Sequence, residues 1–196
     1  VKKFFAPELK KKHPGIRMAS QGQDKDTSDT GNSLQTNILI GVVGIFLVLT
    51  FQFRSYIEAV VVLAAIPLGL IGVVWGHFLM GIDLCIASML GFVSLAGVVV
   101  NDSILLVIFL KRARTEGRVI SEAAGEASRA RFRAIVLTSL TTVAGLLPLM
   151  FERSLQAQIL VPLAVSIGAG MMASTVLILL VIPCLYTVLG DLGLVE

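Results

Sequence analysis

From residue 34 onward the chain alternates long apolar stretches with short polar breaks. The apolar stretches fall at about 34–53, 56–78, 84–110, 132–151 and 157–188. Each can cross a hydrocarbon core of ~30 Å, which takes roughly 20 helical residues. A bilayer offers no water to satisfy backbone groups, so such stretches cross as helices. The pattern predicts an all-α membrane protein, a five-span helical bundle over residues 34–188. Charges inside the spans are few: Glu58 near one end of the second, Asp102 well inside the third, and Arg133 at the edge of the fourth. The last stretch is long and must tilt or extend past the membrane. Pro67 and Pro148 interrupt spans and should kink them.

Residues 1–33 break the pattern. Lys2, Lys3, Lys10, Lys11 and Lys12 surround Phe4, Phe5 and Leu9, which predicts a short amphipathic helix starting near Pro7 and ending at His13-Pro14-Gly15. Residues 16–19 suit a brief strand, and Ser20 to Ser33 a polar connector. The apolar core of a signal peptide is absent from this stretch.

Composition narrows the class. The chain is 56% hydrophobic and 15% charged, with a mean hydropathy of +0.89. Soluble chains carry roughly 25% charged residues. Aromatics are only 7%, so the apolar excess is aliphatic, with 18 Gly. Small residues let helix backbones approach in lipid. Disorder, a disulfide scaffold and a nucleic-acid domain are excluded. The net charge of +3 acquires meaning from its placement. The basic connector 111–131 and its edge carry Lys111, Arg112, Arg114, Arg118, Arg129, Arg131 and Arg133 against Glu116, Glu122 and Glu126. Such an excess marks the cytoplasmic side. The N-terminal segment then lies outside, and the tail 189–196 on the cytoplasmic side.

The residue with the most chemistry is Asp102. About 13 Å of helix separates it from Lys111. A charged Asp at mid-membrane costs roughly 2.5–3.5 kcal/mol even on the mild insertion scale. An acid whose charge depends on access by water or a partner suits a proton carrier. At 100° per residue, Ala87, Gly91, Ser94, Asn101 and Asp102 share one sector of about 100°. On the fourth span Arg131, Thr138, Thr141, Thr142 and Gly145 also share a sector, offering a guanidinium and hydroxyls for a relay. The plainer alternatives are polar glue between helices for Asn101-Asp102, back-bonding to the helix for the threonines, and a membrane-edge anchor for Arg131. Gly72 and Gly76 in the second span, and Ser166, Gly170 and Ser174 in the fifth, form small-residue packing stripes. His77 is expected at the interface beside Trp75, and Arg54 is expected to pair with Glu58 four residues on. Cys85 and Cys184 read as small apolar fillers. No metal-ligand spacing, phosphate loop or nucleophile elbow occurs, so neither a cofactor nor an enzyme is expected.

Several of these stretches, in order, resemble the C-terminal membrane portion of resistance-nodulation-division (RND) efflux transporters. Phe53-Arg-Ser-Tyr56 with Ile66-Pro-Leu-Gly-Leu-Ile-Gly72 resembles the eighth and ninth membrane helices of that family, and Gly97-Val-Val-Val-Asn-Asp-Ser-Ile104 the tenth. The run from Arg131 to Pro148 is similar to the eleventh, and Val161-Pro-Leu-Ala through Ile182-Pro183 to the twelfth. Residues 1–33 are similar to the end of the periplasmic porter domain.

The resemblance implies a fragment of a proton-driven antiporter in the bacterial inner membrane. It points to the AcrB-like multidrug branch, exporting drugs or amphiphiles. It also implies a homotrimer with a periplasmic adaptor and an outer-membrane channel. In the drug pumps a Lys stands where this chain has Asn101, and Arg131 and Thr138 match polar relay residues. The paired acids of those pumps lie on a fourth helix outside this sequence. Asp102 is therefore either a carrier in its own right or an accessory to them. On its own the chain is not expected to transport. Two alternatives stand beside this one: an RND relative moving metal, lipid or exported protein, and a non-transporting membrane scaffold. An intramembrane protease fits poorly, because a single acid lacks the second carboxylate.

Overall fold

A computed structural model describes residues 23–116, 120–154 and 156–192. The amphipathic helix and strand expected before residue 20 lie outside the described residues. Regular structure within them is entirely helical: α1 (Gln23–Phe53), α2 (Tyr56–Leu63), α3 (Ala65–Met80), α4 (Ile86–Thr115), α5 (Ile120–Met150), a 3₁₀ turn (Ala157–Ile159) and α6 (Val161–Asp191). Among the described residues, five stretches are long and apolar enough to cross a membrane: Asp29–Phe53, Tyr56–Met80, Ile86–Ala113, Gly125–Met150 and Val161–Gly190. The architecture is an all-α membrane bundle. The chain divides into two compact units, Val1–Asn37 and Ile38–Glu196. The described part of the first is helical, and the second holds the bundle.

Two polar stretches prove more helical than their composition suggests. Residues 23–33 are helix rather than connector. Much of the basic connector is also helix, since α4 runs on to Thr115 and α5 resumes at Ile120. Ala, Glu and Arg dominate there and are strong helix formers.

Local chemistry sets the breaks. Arg54 adopts φ 54°, in the left-handed region, and ends α1. Ser55 then caps α2, its Oγ accepting from the Glu58 N–H at 3.5 Å. Pro67 has no N–H for the Leu63 carbonyl and its ring crowds that group, so α2 stops at Leu63. Ala64 stays in the right-handed helical region, and α3 continues the same span. Pro148 lies two residues from the end of α5, where little helix remains to bend. Gly81 closes α3 at φ 63°, a left-handed cap in which the next N–H, of Ile82, bonds the His77 carbonyl at 3.1 Å.

α6 is the centre of the bundle. In its most apolar window 56% of residues are buried, against 6% in that of α1. It packs against α3, α4 and α5. Its Ile178, Ile182 and Tyr186 join Val62, Leu95, Leu106 and Leu110 in the core. Small residues bring the backbones together. A methyl group on Gly72 would stand 2.7 Å from the Ala169 carbonyl oxygen and 2.9 Å from Gly170 Cα. Gly76 lies against Ala169, and Gly170 against Leu95 and Val73. Gly91 of α4 meets the Leu163 carbonyl and Ser166. Buried Ser174 bonds the Met171 carbonyl within α6 at 3.0 Å.

Candidate functional site

Asp102 sits midway along α4, half-buried, between exposed Asn101 and buried Ser103. Ser103 turns its hydroxyl back to the Val99 carbonyl at 2.7 Å. The Asp102 carboxylate has no hydrogen bond or ion pair among the described residues. The polar sector of α4 therefore divides. Gly91 faces α6, whereas Ser94 and Asn101 lie on the open surface of the bundle. Ser94 bonds its own helix, at the Leu90 carbonyl, at 3.0 Å.

The fourth-span residues lie on open surface as well. Thr138 and Thr141 are exposed, while Thr142 and Arg131 are half-buried. The Thr138 hydroxyl donates to the Ala134 carbonyl at 2.9 Å. That of Thr141 is shared between the Leu137 and Thr138 carbonyls, each at 2.9 Å. In this arrangement Thr138 and Thr141 back-bond. No hydrogen bond joins them to Asp102 among the described residues. Hydroxyls facing the other way tie α5 to α6: Ser139 contacts Thr175, and Ser128 donates to the Leu179 carbonyl at 3.1 Å.

The strongest polar cluster is one that sequence spacing missed. Glu58 does not pair with Arg54. The left-handed turn at Arg54 removes it from the helix that carries Glu58, so a four-residue spacing no longer places them on one face. Instead Lys111, 53 positions away, donates to Glu58 Oε2 at 2.8 Å and to the Phe53 carbonyl at 2.7 Å. Tyr186 donates to Glu58 Oε1 at 3.4 Å. Glu58 is wholly buried, while the Lys111 side chain is 36% exposed. The cluster joins the end of α1, the start of α2, the end of α4 and the end of α6. One signal was legible: the second span opens with a buried-register acid, and the third closes on a Lys.

His77 departs from expectation too. It is buried, not interfacial beside Trp75. Its Nδ1 lies 3.0 Å from the Val73 carbonyl, which only accepts, so Nδ1 carries the proton. Nε2 then accepts from the Ser88 hydroxyl at 2.8 Å, and Ser88 Oγ accepts the Cys85 N–H at 3.2 Å. This chain fastens α3 to the start of α4 across the Gly81 turn. Replacing Ser88 with Ala leaves two polar groups unmatched and should cost about 1–3 kcal/mol. Equal unfolding midpoints for the variant and the parent protein would contradict that. Trp75 stacks edge-on to Phe78 on the surface. Cys85 and Cys184 are free and exposed.

Among the described residues no group of three or more His, Cys, Asp or Glu side chains could hold a metal ion.

Comparison with known proteins agrees with this architecture. Residues 6–190 match the AcrB/AcrD/AcrF family. Protein HelA of Legionella pneumophila is 32% identical over 192 residues, covering 94% of this chain and 18% of that protein. The cobalt-zinc-cadmium resistance protein CzcA of Cupriavidus metallidurans is 27% identical over 172 residues, 88% of this chain and 16% of CzcA. The swarming motility protein SwrC of Bacillus subtilis is 29% identical over 91% of this chain and 17% of its own length. The crystal structure of a heavy metal efflux pump superposes with a TM-score of 0.77 at 23% identity, over 97% of this chain and 19% of that one. The chain thus spans less than a fifth of the length of these relatives. Its bundle of apolar helices and a sequence match over nearly all of its residues make it a multi-pass membrane protein of the AcrB/AcrD/AcrF family.

Proposed function

We propose that this chain is the C-terminal membrane segment of an RND efflux transporter driven by the proton-motive force, in which Asp102 is the principal titrating group. The observation that carries this reading is a half-buried carboxylate, midway along a membrane-length helix, with no partner among the described residues. Such a group is expensive in lipid and is retained where it works. Asn101, Arg131 and Thr138 form the relay around it, with Ser94, Thr141 and Thr142 in support. Their place on open surface suits a relay completed by acids from the rest of the transporter. The basic ends of α4 and α5 face the cytoplasm, and the N-terminal segment faces the periplasm of a bacterial inner membrane. The intact protein is a trimer working with a periplasmic adaptor and an outer-membrane channel.

The cargo is drugs or other amphiphiles. A second reading, divalent metal cations, is favoured by the name of the relative CzcA. Proton flux through the reconstituted intact transporter, stimulated by zinc or by an amphiphilic drug, separates the two. The relay is tested by Asp102→Asn, which removes the charge and keeps the size. Export driven by an imposed pH gradient should be abolished. Export at the parent rate would remove Asp102 from the mechanism.

A further inference from the structure

Between α5 and α6, near the basic end of the bundle, a cleft of about 400 Å³ opens on the outer surface. Phe132 and Val136 form one wall and Val176 and Leu180 the other, with Arg129 at the mouth. Phe132, Val176 and Leu180 are more than half exposed. The lining from Arg129 to Val136 spans about 10 Å of helix axis. Ser128 spends its hydroxyl on the Leu179 carbonyl, so the cleft is apolar below the guanidinium.

We propose that this cleft binds an anionic phospholipid, with an acyl chain along the apolar walls and the headgroup phosphate at Arg129. Arg133, exposed one turn on, lies on the same stripe and adds a second cation, against Glu126 nearer the loop. Arginine pairs with phosphate through a planar fork of donors. Basic pockets between membrane helices on the cytoplasmic side suit anionic headgroups. The cleft lies about 130° around α5 from the stripe of Arg131, Thr138 and Thr142, at 100° per residue. The polar stripe turns toward the rest of the transporter, which leaves the cleft turned to lipid. That orientation rests on the relay reading above.

The test uses the intact transporter in nanodiscs of equimolar phosphatidylglycerol and phosphatidylcholine. A photoreactive benzoylphenylalanine replaces Phe132, or Phe78 at the opposite end of the bundle as a control. Position 132 should yield phospholipid adducts enriched in phosphatidylglycerol by about fivefold if one cation engages the headgroup and up to about 25-fold if both do. Arg129→Gln combined with Arg133→Gln should erase the enrichment. Position 78 should show none. Three results overturn the proposal: a polypeptide adduct at position 132, equal yields of the two lipids, or an enrichment that survives both Gln substitutions. Export by Asp102→Asn reports on the relay and the adduct reports on the cleft, so either can fail alone.

Discussion

Gly72→Leu should drive α3 away from α6 and destabilise the bundle by about 3 kcal/mol or more, the upper end of overpacking costs. The reason is what stands opposite. The first added carbon would meet the Ala169 carbonyl oxygen at 2.7 Å and Gly170 Cα at 2.9 Å. Both are backbone atoms of a helix, so no rotamer change makes room. Gly76, one turn on, fits equally closely against Ala169, so the two helices would have to part along a length rather than at a point. In lipid no hydrophobic force compensates for lost contact, because tails are as apolar as the helix faces. Thermal unfolding in detergent gives the readout. A midpoint within about 2 °C of the parent would mean the close approach contributes little. Gly44→Leu, at an exposed site with open space around it, is the control and should be mild.

Lys111→Met should cost about 3 kcal/mol, the lower end for breaking a buried pair, because the Lys side chain is a third exposed while Glu58 is not. The substitution keeps much of the apolar stem, so the loss reports on charge. It strands the Glu58 carboxylate, leaving it only the long Tyr186 hydrogen bond. It also withdraws the donor from the Phe53 carbonyl, where α1 ends. Adding Glu58→Leu should recover much of the loss, since an apolar pair of similar volume often replaces a buried ion pair at no cost. A double variant as unstable as the sum of the two single ones would show that the residues act independently.

The fold class was legible because the bilayer is a severe selector. Apolar runs of the necessary length leave helix as the only backbone that satisfies itself in lipid. Contacts between helices were another matter. Glu58 and Lys111 lie 53 positions apart, and nothing local in either stretch names the other. Periodicity even misdirected, since the Arg54–Glu58 spacing presumes a continuous helix that one left-handed residue interrupts. His77 misled in the same way: a polar residue near the end of an apolar run resembles an interfacial one until Ser88 folds over it. The basic connector reads as loop because charge and loop correlate, yet its Ala, Glu and Arg favour helix on conformational grounds. As for Asp102, its chemistry is plain in one dimension. Its partners are not, because the relevant face of α4 is open in this part of the protein.

The central position of α6 bears on how the bundle is made. Chains enter the membrane in order of synthesis, and α6 follows every other helix described here. The small-residue grooves on α3 and α4, and the hydroxyls Ser128 and Ser139 on α5, all await it. Until it arrives, the earlier spans are held mainly by the polar ties of α2 and α3 to α4, Lys111 to Glu58 and His77 to Ser88. Close packing of these spans is therefore a late event in their insertion, set by the release of α6 from the insertion machinery. A nascent chain halted before Val161 should be inserted yet loosely associated, and exposed to quality-control proteases that recognise unpacked membrane helices.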